Sequence, residues 1–178
     1  MKNIALAMAS AALASACPAF AEVKSDTDHG FALLRTVMVK RTPEAVYTAL
    51  GEPRKWWSSR HSWSGTAANM SLELGVGGCF CERLPSTKGM VEHGRVVFAS
   101  PSKQLRLRAA LGPLQGEGVM GALTWSLKQV EGGTEITQTY NVGGYLQGGA
   151  KPWAPIVDSV VNEQLDRLKS YLETGKTP

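Results

Sequence analysis

Cysteine is scarce in this chain. Cys17, Cys79 and Cys81 are the only three, and no histidine or second cysteine pair stands at ligand spacing from them, so the pattern of a metal site is missing. Charge of one sign is scarce too. With 19 Lys and Arg against 15 Asp and Glu, the short basic pairs Arg54-Lys55 and Arg106/Arg108 form no stripe of the kind that tracks a nucleic acid backbone. Beyond the N-terminal segment no apolar run approaches 18 residues, so nothing later in the chain is read as a membrane span. Gly-x-Ser-x-Gly, His-Glu-x-x-His and a dinucleotide fingerprint are all absent. The stretch 144–151 has two glycines five apart, Gly144 and Gly149, and a nearby lysine, but Ala150 and Pro152 break the spacing of a phosphate-cradling loop. Nothing in the residues calls for a cofactor.

What is present is the composition of one globular domain. The 178 residues are 43% hydrophobic, which rules out disorder for most of the chain. Nineteen Gly and nine Pro point to many turns, as in antiparallel β structure.

The first residues read as an address. Met1-Lys2 gives a positive start, residues 4–16 are uncharged and apolar, and Ala19-Phe20-Ala21 is a small-x-small cleavage site. This is a secretory signal peptide over residues 1–21, followed by a domain over 22–178 that is periplasmic or secreted. Cys17 loosely resembles a lipoprotein acylation site, but Leu13 sits one place too early, so cleavage after Ala21 is expected rather than a lipid anchor. Removal of residues 1–21 takes away Lys2 and no acid. Cys79 and Cys81 then remain. At i, i+2 on a strand their Cα atoms stand near the outer limit for a bridge, so two unbridged small apolar residues are expected, with a reducible disulfide as the alternative.

Residues 22–30 are polar and read as no element. A first strand is expected over 31–40. Thr42-Pro43-Glu44 opens a short helix, with a capping hydroxyl, a proline in the first turn and an acid at the positive end. Glu52-Pro53 starts a second short helix carrying Trp56 and Trp57, and 58–68 reads as a loop around Trp63. Six further strands follow at about 70–74, 78–84, 90–100, 104–111, 119–130 and 134–143, with short turns that make them antiparallel. From 152 to 173 the period changes: Trp153, Ile156, Val157, Val160, Val161, Leu165, Leu168 and Leu172 recur at helical spacing.

This order resembles the helix-grip fold, an α+β architecture in which a seven-stranded antiparallel sheet curls around a long C-terminal helix. The likeness rests on Thr42-Pro43-Glu44-Ala45-Val46-Tyr47, Trp56, Gly77-Gly78-Cys79-Phe80-Cys81-Glu82, Gly94-Arg95-Val96, Pro101, Leu123-Thr124-Trp125, Gly133-Thr134 and the helix from Asp158 to Leu172. It covers residues 31–173. The chain is similar to the SRPBCC, or START-like, superfamily of lipid-transfer domains and birch-pollen allergens. Within it, the chain resembles most the activator of the heat-shock chaperone ATPase and the polyketide cyclases. The resemblance implies a space between sheet and helix. The ATPase in that name describes a partner's activity.

Alternation says which side chains face the space. Leu105, Leu107, Ala109 and Leu111 share a face, as do Leu123, Trp125 and Leu127, and Ile136, Gln138, Tyr140 and Val142. The hairpin around Thr87-Lys88 carries the sharpest inference. If Pro85 pairs with Met90, Glu82 lies opposite His93 and Phe80 opposite Arg95, which sets an acid, a titratable ring and a guanidinium in an apolar chamber. Trp56, Trp57, Trp63 and Trp153 are expected near its mouth, and Tyr145 in a glycine-rich link before the last helix. His29 and His61 read as solvated loop histidines.

Three functions are expected from these residues. The first is an exported carrier or sensor for a small hydrophobic or amphipathic molecule, held among Trp56, Trp63, Phe80, Leu107, Trp125 and Trp153 and oriented by Glu82, His93, Arg95, Gln138 or Tyr140. The second is a cyclase- or aromatase-like enzyme with Glu82 and His93 as acid and base. The third is a protein-binding module like the chaperone activator, which export disfavours.

Overall fold

The computed structural model describes residues 21–178. The expected leader, apart from Ala21, and the acylation reading of Cys17 therefore fall outside the described residues. The described chain is a single antiparallel sheet holding one long helix. The strands are β1 (Ala21–Thr27), β2 (Gly30–Val39), β3 (Met70–Leu72), β4 (Cys79–Leu84), β5 (Gly89–Ser100), β6 (Gln104–Ala109), β7 (Gly118–Val130) and β8 (Gly133–Tyr145). Their order in the sheet is β1-β2-β8-β7-β6-β5-β4-β3. Helix α1 (Pro43–Leu50) follows β2, and α2 (Trp153–Thr174) closes the chain. Among the described residues no helix is long and apolar enough to cross a membrane.

The helix-grip architecture is as expected, with one strand more. β1 arises in the stretch 22–27, whose polar residues offer no alternation to read. It forms because Thr27 closes a tight turn, its Oγ1 accepting from the His29 N–H at 3.2 Å and donating to the Gly30 carbonyl at 3.1 Å. As an edge strand it needs little apolar surface, and Val23 alone packs partly on the core. The second short helix is a set of 3₁₀ turns, Pro53–Lys55, Ser59–His61 and Ala67–Asn69.

Helix α1 begins as its sequence dictates. Thr42 Oγ1 accepts from the Ala45 N–H at 3.3 Å, Pro43 fills the first turn, and Val46, Tyr47, Ala49 and Leu50 are buried. Helix α2 spans 22 residues, about 33 Å, and buries Val157, Val161, Leu165, Leu168 and Leu172 along one stripe. It ends at Gly175, which takes φ +71° and sends its N–H to the Tyr171 carbonyl. Each fully buried leucine on that stripe contributes about 1.5–3 kcal/mol. Arg35 of β2, across the ladder from Gln138, grips Asp166 through both guanidinium nitrogens at 2.6 and 2.9 Å and also reaches the Asn162 carbonyl. Arg41 donates to the Leu172 carbonyl at 2.5 Å.

The inward sets on β6, β7 and β8 are buried as alternation predicts, from Leu105, Leu107 and Leu123 to Ile136 and Tyr140, all at 1% exposure or less. The β4–β5 hairpin differs. Leu84, not Pro85, closes it against Gly89, because residues 85–88 form the turn and Lys88 takes φ +57°. A bulge then places Phe80 opposite Gly94 but Cys81 opposite Glu92, so His93 is an extra residue on β5. A bulge shifts the alternation beyond it by one. His93 therefore stays inside while Arg95, expected inside, turns out. There it pairs with Glu92 on the same outer face and donates to the Gly77 carbonyl at 2.8 Å.

The cysteines also depart from expectation. Cys79 and Cys81 form a disulfide, their Cα atoms 5.4 Å apart, closer than a flat strand would hold them and well inside the range for a bridge. Its closed loop is three residues long, so constraint of the unfolded chain contributes only about 1.6 kcal/mol, half of what a fifteen-residue loop gives.

Candidate functional site

A cavity of about 340 Å³ lies at one end of the groove between sheet and helix. Its walls are the first turns of α2 (Trp153, Ile156, Val157, Val160, Val161), the segment from Trp57 to Trp63, and the turn Leu111–Leu114, with the His93 ring completing the lining. Trp63 and Ile156 line it while being 55% and 61% exposed, so they mark where it meets solvent. The lining is overwhelmingly apolar, with a few polar side chains at its edge. That combination suits a small guest with one polar end.

His93 owes its position to a buried carboxylate. Glu82 on β4 is fully buried. Its Oε1 accepts from the Ser64 N–H at 2.5 Å, and its Oε2 accepts from the Trp63 N–H at 3.0 Å and lies 3.0 Å from His93 Nε2. Burial pushes the Glu82 carboxyl up, but the hydrogen bonds from Ser64, Trp63 and His93 outweigh it and hold the group below the usual carboxylate value. For His93, burial is the larger effect and lowers the imidazole against the opposing pull of Glu82. The pair is thus an ionised carboxylate and a neutral ring at neutral pH, with Nε2–H donating to Glu82. Nδ1 is the other nitrogen, and its hydrogen-bond partner among the described residues is Gln115 Nε2 at 3.5 Å, the limit of a hydrogen bond.

The wall segment 57–64 is tied down at three more points. The Ser58 N–H donates to Gln164 Oε1 at 2.8 Å, Trp57 Nε1 donates to the His61 carbonyl at 2.8 Å, and Glu163 takes Arg60 at 2.9 Å and His61 Nε2 at 3.0 Å. The Arg60 guanidinium, helped by His61 and Ser58, holds Glu163 down at about 2 despite partial burial. His61 is therefore no free loop histidine.

Of the residues expected to bind a ligand, Trp63, His93 and Trp153 line the cavity. The others do not reach it, and several hold its walls. Tyr140 Oη accepts from the Leu111 N–H at 3.3 Å and donates to the Ala109 carbonyl at 3.1 Å, which fixes the turn at 111–114. Gln138 accepts from Trp125 Nε1 at 2.8 Å and donates to the Val161 carbonyl at 3.1 Å, which pins α2 beside the cavity. Trp56 is core, its Nε1 donating to the Ala49 carbonyl. Phe80 packs on the rings of Trp57 and His93, at 5.2 and 5.0 Å between centroids. Leu107 is core, and Arg95 is on the opposite face. The turn Leu111–Leu114 and the pair Val157/Val160 were not singled out as ligand contacts. The 3.6-residue period of the helix marks the valines as inward, but no periodicity marks the turn. Among the described residues no three His, Cys, Asp or Glu side chains converge as a metal ion would require.

A family model described as "Polyketide cyclase / dehydrase and lipid transport" matches residues 32–173. The chain belongs to that family, within the SRPBCC or START-like superfamily. Solved structures share the fold at low identity. The Aha1 dimer from Colwellia psychrerythraea is 22% identical with a TM-score of 0.57, over 82% of this chain and 98% of that one. A protein from Rhodobacter sphaeroides is 20% identical with a TM-score of 0.56, over 86% and 97%. DynU16, a protein in the dynemicin biosynthetic locus, is 19% identical with a TM-score of 0.56, over 82% of this chain and 48% of that chain. No curated protein matches the sequence.

The pair predicts an acid-sensitive fold. His93 binds its proton more weakly folded than at its ordinary value of 6.5, so the unfolded state takes up protons first and stability falls as pH drops below about 6.5. Glu82, held below its ordinary 4.5, adds a further loss as pH falls through its folded value. In melts between pH 8 and pH 2, His93→Gln should lose the first decline and keep the second. Identical profiles for variant and wild type would refute the assignment of the neutral ring.

Proposed function

We propose that this protein binds a small amphipathic molecule in the cavity beside His93, as a carrier or sensor. The observation that carries the reading is an apolar space of about 340 Å³ with one buried ring nitrogen left over for a polar group. That volume is at the low end for small-molecule sites, so the guest is a compact ring system or short chain rather than a whole diacyl lipid. Affinity comes from the apolar area it covers. Its polar end donates to His93 Nδ1, since Nε2–H is engaged with Glu82. The family description, with both cyclases and lipid transport in it, supports a ligand of this general kind.

A second reading uses the same ring as a base. A neutral imidazole whose Nε2–H is held by an ionised carboxylate has the arrangement in which Nδ1 accepts a proton and the carboxylate stabilises the resulting cation. The activated CH of a β-diketone is the proton such a base removes. Export is part of the proposal as well. Met1-Lys2, the uncharged run and Ala19-Phe20-Ala21 support it, and so does the Cys79–Cys81 disulfide, a bond that persists in oxidising compartments.

Val160→Trp fills the cavity from α2. Wild type should bind the amphipathic dye 1-anilinonaphthalene-8-sulfonate with saturable fluorescence, and the variant should lose most of that signal while melting within a few degrees of wild type. Equal binding would place the dye elsewhere and count against the cavity. Deuterium exchange at the central carbon of benzoylacetone, accelerated by wild type and lost in His93→Gln, would favour the enzyme; exchange at the buffer rate in both removes it. The intact mass of protein recovered from its own host should begin at Glu22, and an uncleaved or acylated chain would sink the export reading as stated.

A further inference from the structure

The Cys79–Cys81 disulfide plays no part in the cavity. It sits on the other face of β4 from Phe80 and Glu82, and both residues are half-buried. Its neighbours there are small or polar: Ser71 lies across the ladder from Cys81, and Ser71 and Glu73 are exposed. β3, the strand on that side, is three residues long and forms the edge of the sheet. An attacking sulfur therefore approaches without displacing core. The bond also constrains little chain, since it spans a single intervening residue, so it is poorly placed as a structural staple. Across the other ladder the charges are unequal. Arg95 stands opposite Cys79 and Glu92 opposite Cys81; the two side chains are joined in an ion pair, with the guanidinium also on the Gly77 carbonyl, so the register sets the positive member of the pair against Cys79 and the negative member against Cys81. A thiolate is favoured beside the guanidinium and disfavoured beside the carboxylate.

We propose that Cys79–Cys81 is an exchangeable two-electron couple that oxidises dithiols, in small molecules or in protein chains, with Cys81 as the attacked sulfur. A thiolate of the dithiol attacks Cys81 Sγ. The S–S bond breaks and its electron pair leaves on Cys79 Sγ. The second thiolate of the dithiol then attacks its own sulfur in the mixed disulfide and releases Cys81 as thiolate. The dithiol is oxidised to a disulfide, the protein is reduced to a dithiol, and the two protons from the substrate end on Cys79 and Cys81. Disulfides within reach of solvent are the labile ones among protein disulfides, and this one is half-buried on a face where Ser71 and Glu73 are exposed.

The test uses the full mature chain. In a glutathione series whose most reducing member leaves a long-loop structural disulfide intact, alkylation and mass measurement should show Cys79 and Cys81 passing from fully oxidised to fully reduced. A peptide with two cysteines should be oxidised one for one with protein reduced, and Cys79→Ser/Cys81→Ser should abolish this. With Ellman's reagent at pH 6, Cys81→Ser, which leaves Cys79 free, should react about tenfold faster than Cys79→Ser. A bond that stays oxidised across the series, or peptide oxidation unchanged in the double variant, overturns the couple. Equal rates for the two single variants overturn the assignment of Cys79 as the leaving thiolate.

Discussion

The buried carboxylate of Glu82 is the constraint on which the cavity depends. A charge that far from water persists only when hydrogen bonds replace its hydration. Here the donors are two consecutive backbone N–H groups of an irregular segment and the ring of a bulged strand residue. Meeting that requirement brings Trp63 and Ser64 down onto β4 and fixes His93 with one nitrogen engaged. The wall of the cavity and its one buried polar contact are thus consequences of the same charge. Replacing Glu82 would remove both together, so a single substitution there cannot separate a structural role from a chemical one.

Most of the groove under α2 is solid. Trp125, Tyr140, Phe80, Leu107 and Leu123 fill it, with Trp125 Nε1 spent on Gln138 and Tyr140 Oη on the backbone of the walls. The remaining space is confined to the end where α2 begins. What is left is a small apolar space with the His93 ring in its lining.

How much of this was legible in the sequence follows from what each feature depends on. Helix α2 and the inward faces of β6 to β8 were readable because burial imposes a period on residue type, and Leu105, Leu107, Trp125 and Tyr140 obey it. The meeting of Glu82 and His93 was foreseen, though by a register that the hairpin does not adopt. One extra residue at the bulge flips every side chain beyond it, and nothing in Glu92-His93-Gly94-Arg95 announces it, so alternation alone puts Arg95 on the wrong face. β1 was missed because an edge strand of polar residues carries no alternation. The turn at Leu111–Leu114 went unread because its place is set by Tyr140 from 29 positions away, a dependence no local window contains.

The two ends of α2 are fastened very unequally. From Asn162 onward it is gripped by Arg35 and Arg41, and its own Gln164 and Arg167 reach the backbone at Ser58 and Trp56. Its first turn has no side-chain cap and is approached chiefly through Ala150, whose N–H meets the Asp28 carbonyl. Thermal fraying of the helix would therefore start at Trp153 and Ile156, beside the opening, while the guanidinium-clamped half stays in place. Loss of that one turn would widen the opening and leave the rest of the domain folded.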